Sequence, residues 1–273
     1  MSSASAASLR KAARIGGMSL AAGLTTLLAA TPAFAADPFF KIHFASGPTS
    51  SSNGPNGYPG IQGVATYTFS TTNIGQMVLN LENTSTVGTS KLVGTGFDIP
   101  SATSSPSFSP PITVANATSI PNWGINTGDS LPPFGQFDIC VTTNDPNGTT
   151  LSGCDAGAQV FGLSNGQNQN VATFNFTGLS NTASATDYRN AFASLFTTAP
   201  DNSFVMRFKN VDIPGVVTDG SDKILATSIE RGGNGDQAPG DSVPGPLSVF
   251  GAAAAFGYSR KLRQRIKLQQ VTD

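Results

Sequence analysis

Few residues in this sequence can do chemistry, and their types narrow what it can be. There is one histidine, His43, and there are two cysteines, Cys140 and Cys154. A zinc site of the H-E-x-x-H kind needs two histidines and is excluded. The segment Gly162-Leu163-Ser164-Asn165-Gly166 matches the G-x-S-x-G pattern of a nucleophilic serine. An α/β-hydrolase would place its histidine after that serine on a parallel-sheet framework. His43 lies far upstream, so the match reads as a turn and His43 as an ordinary strand residue. The reverse, chymotrypsin-like order fails because the residues around Ser164 read as a loop. Glycosidases work with a pair of carboxylates. The two glutamates, Glu82 and Glu230, sit in no telling context, although aspartates are plentiful enough to leave such a pair open.

Oxygen-rich clusters occur in loops: Asn144, Asp145 and Asn147; Asp219 with Asp222; Asp236 with Asp241. None has the D-x-[DN]-x-[DN]-G spacing and distal Glu of an EF-hand. Turn chemistry by itself accounts for Asp, Asn and Gly there. No metal and no cofactor is expected. Cys140 and Cys154 flank the turn signal Asn144-Asp145-Pro146-Asn147-Gly148. An even cysteine count in an exported chain predicts a disulfide, and C-x-x-C metal or redox spacing is missing. Closing this loop contributes about 3 kcal/mol on loop-closure entropy.

The elements that must position these residues read as β almost throughout. Phe39–Phe44 is a first strand. Val64–Phe69 alternates, with Val64, Thr66 and Thr68 on one face and Ala65, Tyr67 and Phe69 on the other. Met77–Leu81 alternates with Met77, Leu79 and Leu81 inward, and Lys91–Ile99 follows. Pro100–Pro111 is a Ser/Pro-rich connection unfit for a central strand. Ile112–Val114 and Ile120–Ile125 are weaker strands around the single tryptophan, Trp123. Gln136–Thr142, Val171–Thr177, Phe204–Phe208 and Lys223–Thr227 are strong ones. One helix interrupts them: Thr186 reads as its N-cap, Asp187 lies in its first turn, and Tyr188, Ala191, Phe192, Leu195 and Phe196 recur at helical spacing before Pro200. Many short strands with one helix predict a mainly β fold, an antiparallel, jelly-roll-like β-sandwich.

Both ends carry addresses. Arg10, Lys11 and Arg14 precede an apolar run, Ile15–Ala30, and an Ala33-Phe34-Ala35 cleavage site, so residues 1–35 read as a signal peptide cut between Ala35 and Ala36. At the other end a Val243-Pro244-Gly245-Pro246 hinge leads into a nearly uncharged run, Leu247–Tyr258. Arg260, Lys261, Arg263, Arg265 and Lys267 follow as a basic stop. Apolar run then basic block is the pattern of a membrane segment with its basic end in the cytoplasm. The run spans about 18 Å as a helix, against roughly 30 Å of hydrocarbon. It crosses only if Leu262 and Ile266 join it while the basic stems snorkel. Residues 36–231 are then the ectodomain, 232–242 a Gly/Pro/Asp spacer and 243–267 the sorting segment.

Charge is uneven. Three of the 15 basic residues precede Ala36 and five follow Ser242, leaving seven against 15 acids between, a balance of −8. That excludes a nucleic-acid partner, which needs a basic footprint.

The tail, Val243–Pro246 followed by Leu247–Tyr258 and Arg260–Lys267, resembles a PEP-CTERM sorting signal in its Val-Pro-Gly-Pro form. Gly245 stands where the commonest motif has Glu. Leu79–Ser85 with Gly94–Pro100, and Phe204–Val211 with Gly220–Lys223, resemble stretches of the ectodomains called cistern PEP-CTERM proteins. The resemblance implies export, transient anchoring in the inner membrane, and cleavage near the motif by an exosortase, with signal peptidase acting at the other end. The expected function is a non-enzymatic cell-surface or extracellular-matrix protein with a structural or adhesive role. The alternative is a carbohydrate-binding module, with polysaccharide as partner and Tyr58, Tyr67 and Trp123 as aromatic contacts.

Overall fold

The computed structural model describes residues 36–47, 50, 57–100, 112–147, 153–155, 157–178, 182–198 and 203–233. The signal-peptide and sorting segments, Ala35, the Pro-rich 101–111 connection, and Asp236 and Asp241 lie outside them. Among the described residues no helix is long and apolar enough to cross a membrane.

Alternation produces the first three strands, β1 (Phe39–Ala45), β2 (Gln62–Phe69) and β3 (Gln76–Asn83), strict in β1 and β3 and broken in β2, where Gly63, Val64 and Ala65 are all buried. Phe40, Ile42, Phe44, Ala65, Tyr67, Phe69, Met77, Leu79 and Leu81 are buried, while Thr66, Thr68 and Asn80 face outward. The chain continues through β4 (Thr89–Phe97), β5 (Thr113–Ser119), β6 (Trp123–Ser130), β7 (Gln136–Thr143), the two-residue β8 (Leu163–Ser164), β9 (Asn168–Thr177), helix α1 (Ala185–Thr198), β10 (Phe204–Ile213) and β11 (Val217–Gly232). β11 runs one residue into the stretch read as spacer. Ile120–Ile125 is not one strand. It breaks at a turn where Asn122 is left-handed (φ 71°), a conformation Asn tolerates better than most residues.

All pairings are antiparallel, in the order β5-β9-β3-β2-β1-β11-β10-β4-β7-β6, with β8 on β4. The long β11 serves both halves: its C-terminal part pairs with β1 and its N-terminal part with β10. The sheet curls until its edges nearly meet. Edge strands β5 and β6 are consecutive, and their turn is stitched to neighbours by Ile120 N–H to Val171 O (3.2 Å) and Asn144 N–H to Asn122 O (2.8 Å). A second seam runs through the turn between β8 and β9. There Gly166 N–H donates to Asn83 O (2.7 Å) and Asn83 N–H to Gln167 O (3.0 Å). The result is a nearly closed, barrel-like antiparallel sheet. Curling brings the two edge strands, β5 and β6, beside one another.

Rings from the two halves meet inside. Phe40 stacks on Tyr67 at 4.6 Å; Tyr67 meets Phe97 edge-on at 5.3 Å and Phe204 at 5.8 Å; Phe97 meets Phe174 at 5.7 Å. These are favoured aromatic geometries. α1 packs through Phe192 on Phe69 (5.6 Å) and Phe176 (4.9 Å). Its cap is Ser184, not Thr186. Ser184 Oγ accepts from Asp187 N–H (3.2 Å), and the Asp187 carboxylate accepts from Ser184 N–H (2.8 Å). This reciprocal box lets Asp do what Glu does in the common form.

Candidate functional site

The residues that sequence reasoning offered for chemistry are dispersed. His43 lies on the outer face of β1, where Nε2 is 3.7 Å from Glu230. Ser164 ends β8; its Oγ accepts from Lys91 Nζ (2.7 Å) and its N–H donates to Gln167 Oε1 (2.7 Å), so both groups serve the turn. Tyr58, Tyr67 and Trp123 are buried at 5%, 0% and 3% exposure and present no platform to a sugar. Asp222 is buried away from Asp219. It accepts from Ser46 Oγ (2.6 Å) and Lys223 N–H (2.9 Å), while burial pushes its pKa up. Asp145 closes an Asx turn onto Asn147 N–H (2.8 Å). No group of three potential metal ligands exists among the described residues.

Cys140 and Cys154 meet at disulfide distance, their Cα atoms 5.1 Å apart. Cys140 is on the outer face of β7. The pairing draws the following segment across the outside of β4, where Ala158 N–H donates to Thr143 O (3.3 Å) and Thr143 Oγ1 donates to Ala158 O (2.8 Å). Asp155 thereby reaches Arg207, which it contacts closely, and Lys223 (2.9 Å).

Two surface features follow from the register. The first is a hydrogen-bonding grid on the outer face of β2, β3, β9 and β5. Thr66, Asn80 and Asn170 stand in one row, and Gln76, Asn175 and Asn116 in another. The amides are linked: Asn80 Nδ2 to Asn170 Oδ1 (2.9 Å), Gln76 Nε2 to Asn175 Oδ1 (3.3 Å), Asn175 Nδ2 to Asn116 Oδ1 (2.5 Å). Thr113 and Thr177 pair beside them at 3.1 Å.

The second is a basic face outside β4, β10 and β11. Four of the seven cations between Ala36 and Ser242, namely Lys91, Arg207, Lys209 and Lys223, are there. Arg207 stands opposite Lys223, and Lys209 opposite Lys91. Like charges directly opposed cost stability. Burial lowers the Arg207 pKa to about 10; it also lowers that of Lys209, and Arg207 and Lys223 push Lys209 further the same way. A cleft of about 640 Å³ opens beside Lys91 and Lys209. Sequence reading missed this face because its residues lie on strands far apart in the chain. The outward alternation of Arg207 and Lys209 between Val205 and Val211 was the available signal.

Comparison with known protein families, with curated proteins and with solved structures finds no match for this chain.

Proposed function

We propose that the chain is an exported, exosortase-sorted protein of the cell surface or extracellular matrix, with a structural or adhesive role and no enzymatic one. The observation that carries the role is the amide and hydroxyl grid on β2, β3, β9 and β5. It is a broad, nearly uncharged surface of paired donors and acceptors on an otherwise acidic domain. Such a surface adheres by many weak hydrogen bonds rather than by one pocket. The address rests on the two termini: a signal peptide cut between Ala35 and Ala36, and the Val243–Pro246 motif with its apolar run and the Arg260–Lys267 stop. The facing rings of Phe40, Tyr67, Phe97 and Phe204 support the finer architecture of a jelly-roll-like sandwich whose halves share β11. Signal peptidase, an exosortase and the inner membrane are the implied processing partners.

Intact-mass measurement of the surface form tests the address. Loss of residues before Ala36 and beyond the Val243–Pro246 region is expected. A surface form retaining everything through Asp273 would refute sorting by cleavage. The alternative, a carbohydrate-binding module, draws on the same grid, because side-chain amides pair well with sugar hydroxyls. With Tyr58, Tyr67 and Trp123 buried, it no longer rests on stacking. A glycan array decides it: binding lost on Asn80→Ala and Asn175→Ala supports this alternative, and an array without signal refutes it.

A further inference from the structure

We infer that the groove between the 3₁₀ turn at Gln159–Phe161 and the strands β4 and β10 is a binding site for an acidic saccharide, with Lys91 and Lys209 holding its carboxylate. This inference sharpens the carbohydrate-binding alternative but rests on its own groove, not on the amide grid.

Three observations carry it. The first is charge. Lys91 and Lys209 are paired across neighbouring strands in a domain that is acidic overall. Among the described residues the one acid lining their cleft is Asp145, whose Oδ1 already accepts from Asn147 N–H. Lys91 Nζ is held by the neutral Ser164 hydroxyl, and Lys209 has no partner among the described residues. Two adjacent ammonium groups facing one weakly opposed cleft leave a positive potential that an anion would neutralise.

The second is backbone deformation at the same place. β10 carries an irregularity against β11 between Lys209 and Val211, with Asn210 left-handed (φ 49°). β4 breaks register next to it, opposite Arg207 and Phe208. Bulges re-aim side chains, and these two turn Lys209, Asn210 and Lys91 toward one groove. Asn is one of the few non-glycine residues that take this conformation readily, so the bulge is held without a glycine and keeps an amide side chain at the groove.

The third is the lining. The cleft of about 640 Å³ adjoins a second of about 600 Å³, sharing Lys91 and Val160. Val160 is 64% exposed at their junction. On one side are Gln159 and Asn210; on the other Ser164, Gln167 and Gln169. Cations for a carboxylate, amides and a hydroxyl for sugar hydroxyls, and one apolar contact for a ring face fit a chain of acidic sugars lying across the turn. A free phosphate would need only the lysines.

Titration calorimetry on the full chain with trigalacturonate at low salt tests this. Neutral maltotriose, inorganic phosphate and a thymidine homopolymer are the comparison ligands. Trigalacturonate is expected to bind and maltotriose not to. Lys91→Gln and Lys209→Gln should each weaken binding about tenfold. Neither should lower Tm, since each relieves a like-charge pair. Val160→Asp places a carboxylate mid-groove on an exposed residue and should abolish binding without touching the core. Failure to bind trigalacturonate, equal binding of maltotriose, equal or tighter binding of phosphate or the homopolymer, or full affinity in Val160→Asp would each overturn the inference. The amide-grid variants leave this binding intact, so the two sites fail separately.

Discussion

Replacing Asp98 with Asn should stabilise this protein at neutral pH and do nothing at pH 4. Asp98 follows β4, and Asp138 is on neighbouring β7. The Asp98 carboxylate accepts from Asp138 N–H (3.3 Å), and the Asp138 carboxylate accepts from Ile99 N–H (2.8 Å), so two carboxylates face one another. Burial pushes Asp98 up to about 6. The Asp138 N–H pulls it back, the Asp138 charge raises it again, and Ser203 lowers it. The folded state therefore holds this proton to higher pH than the unfolded chain does. Stability from Asp98 is complete below about pH 4 and is lost as pH rises through about 6. The rise corresponds at most to ~3 kcal/mol. Asp98 keeps solvent contact, so screening reduces the expected effect to about 1 kcal/mol, or a Tm change of roughly 2–4 °C. Asparagine cannot ionise and still accepts from Asp138 N–H. Urea denaturation of both proteins at pH 4, 5, 6 and 7.5 should show the advantage of Asp98→Asn growing from nothing to its full value. The buried Asp222 titrates upward too, but it is common to both proteins and cancels. An advantage independent of pH, or a loss of stability at pH 7.5, would refute the reasoning.

Three further outcomes are expected from denaturation midpoints. Cys140→Ser with Cys154→Ser opens a loop of sequence separation 14 and should cost about 3 kcal/mol; an unchanged midpoint under oxidising conditions would argue against a bridge. Asn83→Ala should cost about 2 kcal/mol. It strips the buried Leu163 carbonyl (2.9 Å) and Ser90 Oγ (3.1 Å) of a donor at the seam between β3, β4 and β8. Gly75→Ala should cost more than 1 kcal/mol. Gly75 has φ 87°, and a methyl there would sit 2.5 Å from the Phe176 carbonyl oxygen.

Much of the strand content was legible because alternation is local. Phe40, Ile42, Tyr67, Leu79 and Leu81 declare their face within five or six residues of chain, and the structure buries all of them. α1 was legible for the same reason, its apolar stripe recurring within four turns. The errors were local choices between near equivalents. Ser184 and Thr186 are both good caps, and only the reciprocal contact with Asp187 selects the former. The aromatics Tyr58, Tyr67 and Trp123 could have been surface or core. Tyr67 goes inside because its register on β2 puts it against Phe40, a fact about pairing rather than about tyrosine.

The sequence by itself determined that this chain is built of strands, that its basic residues gather at the ends and its acids in the middle, and that its cysteines number two. Each of those is a property of short stretches or of sums. The tertiary structure alone decided that Lys91 faces Lys209, that Arg207 faces Lys223, and that Asp98 faces Asp138. Such neighbours are set by which strands pair and in what register. That choice depends on where the whole sheet can bury its rings, which no window of the chain contains.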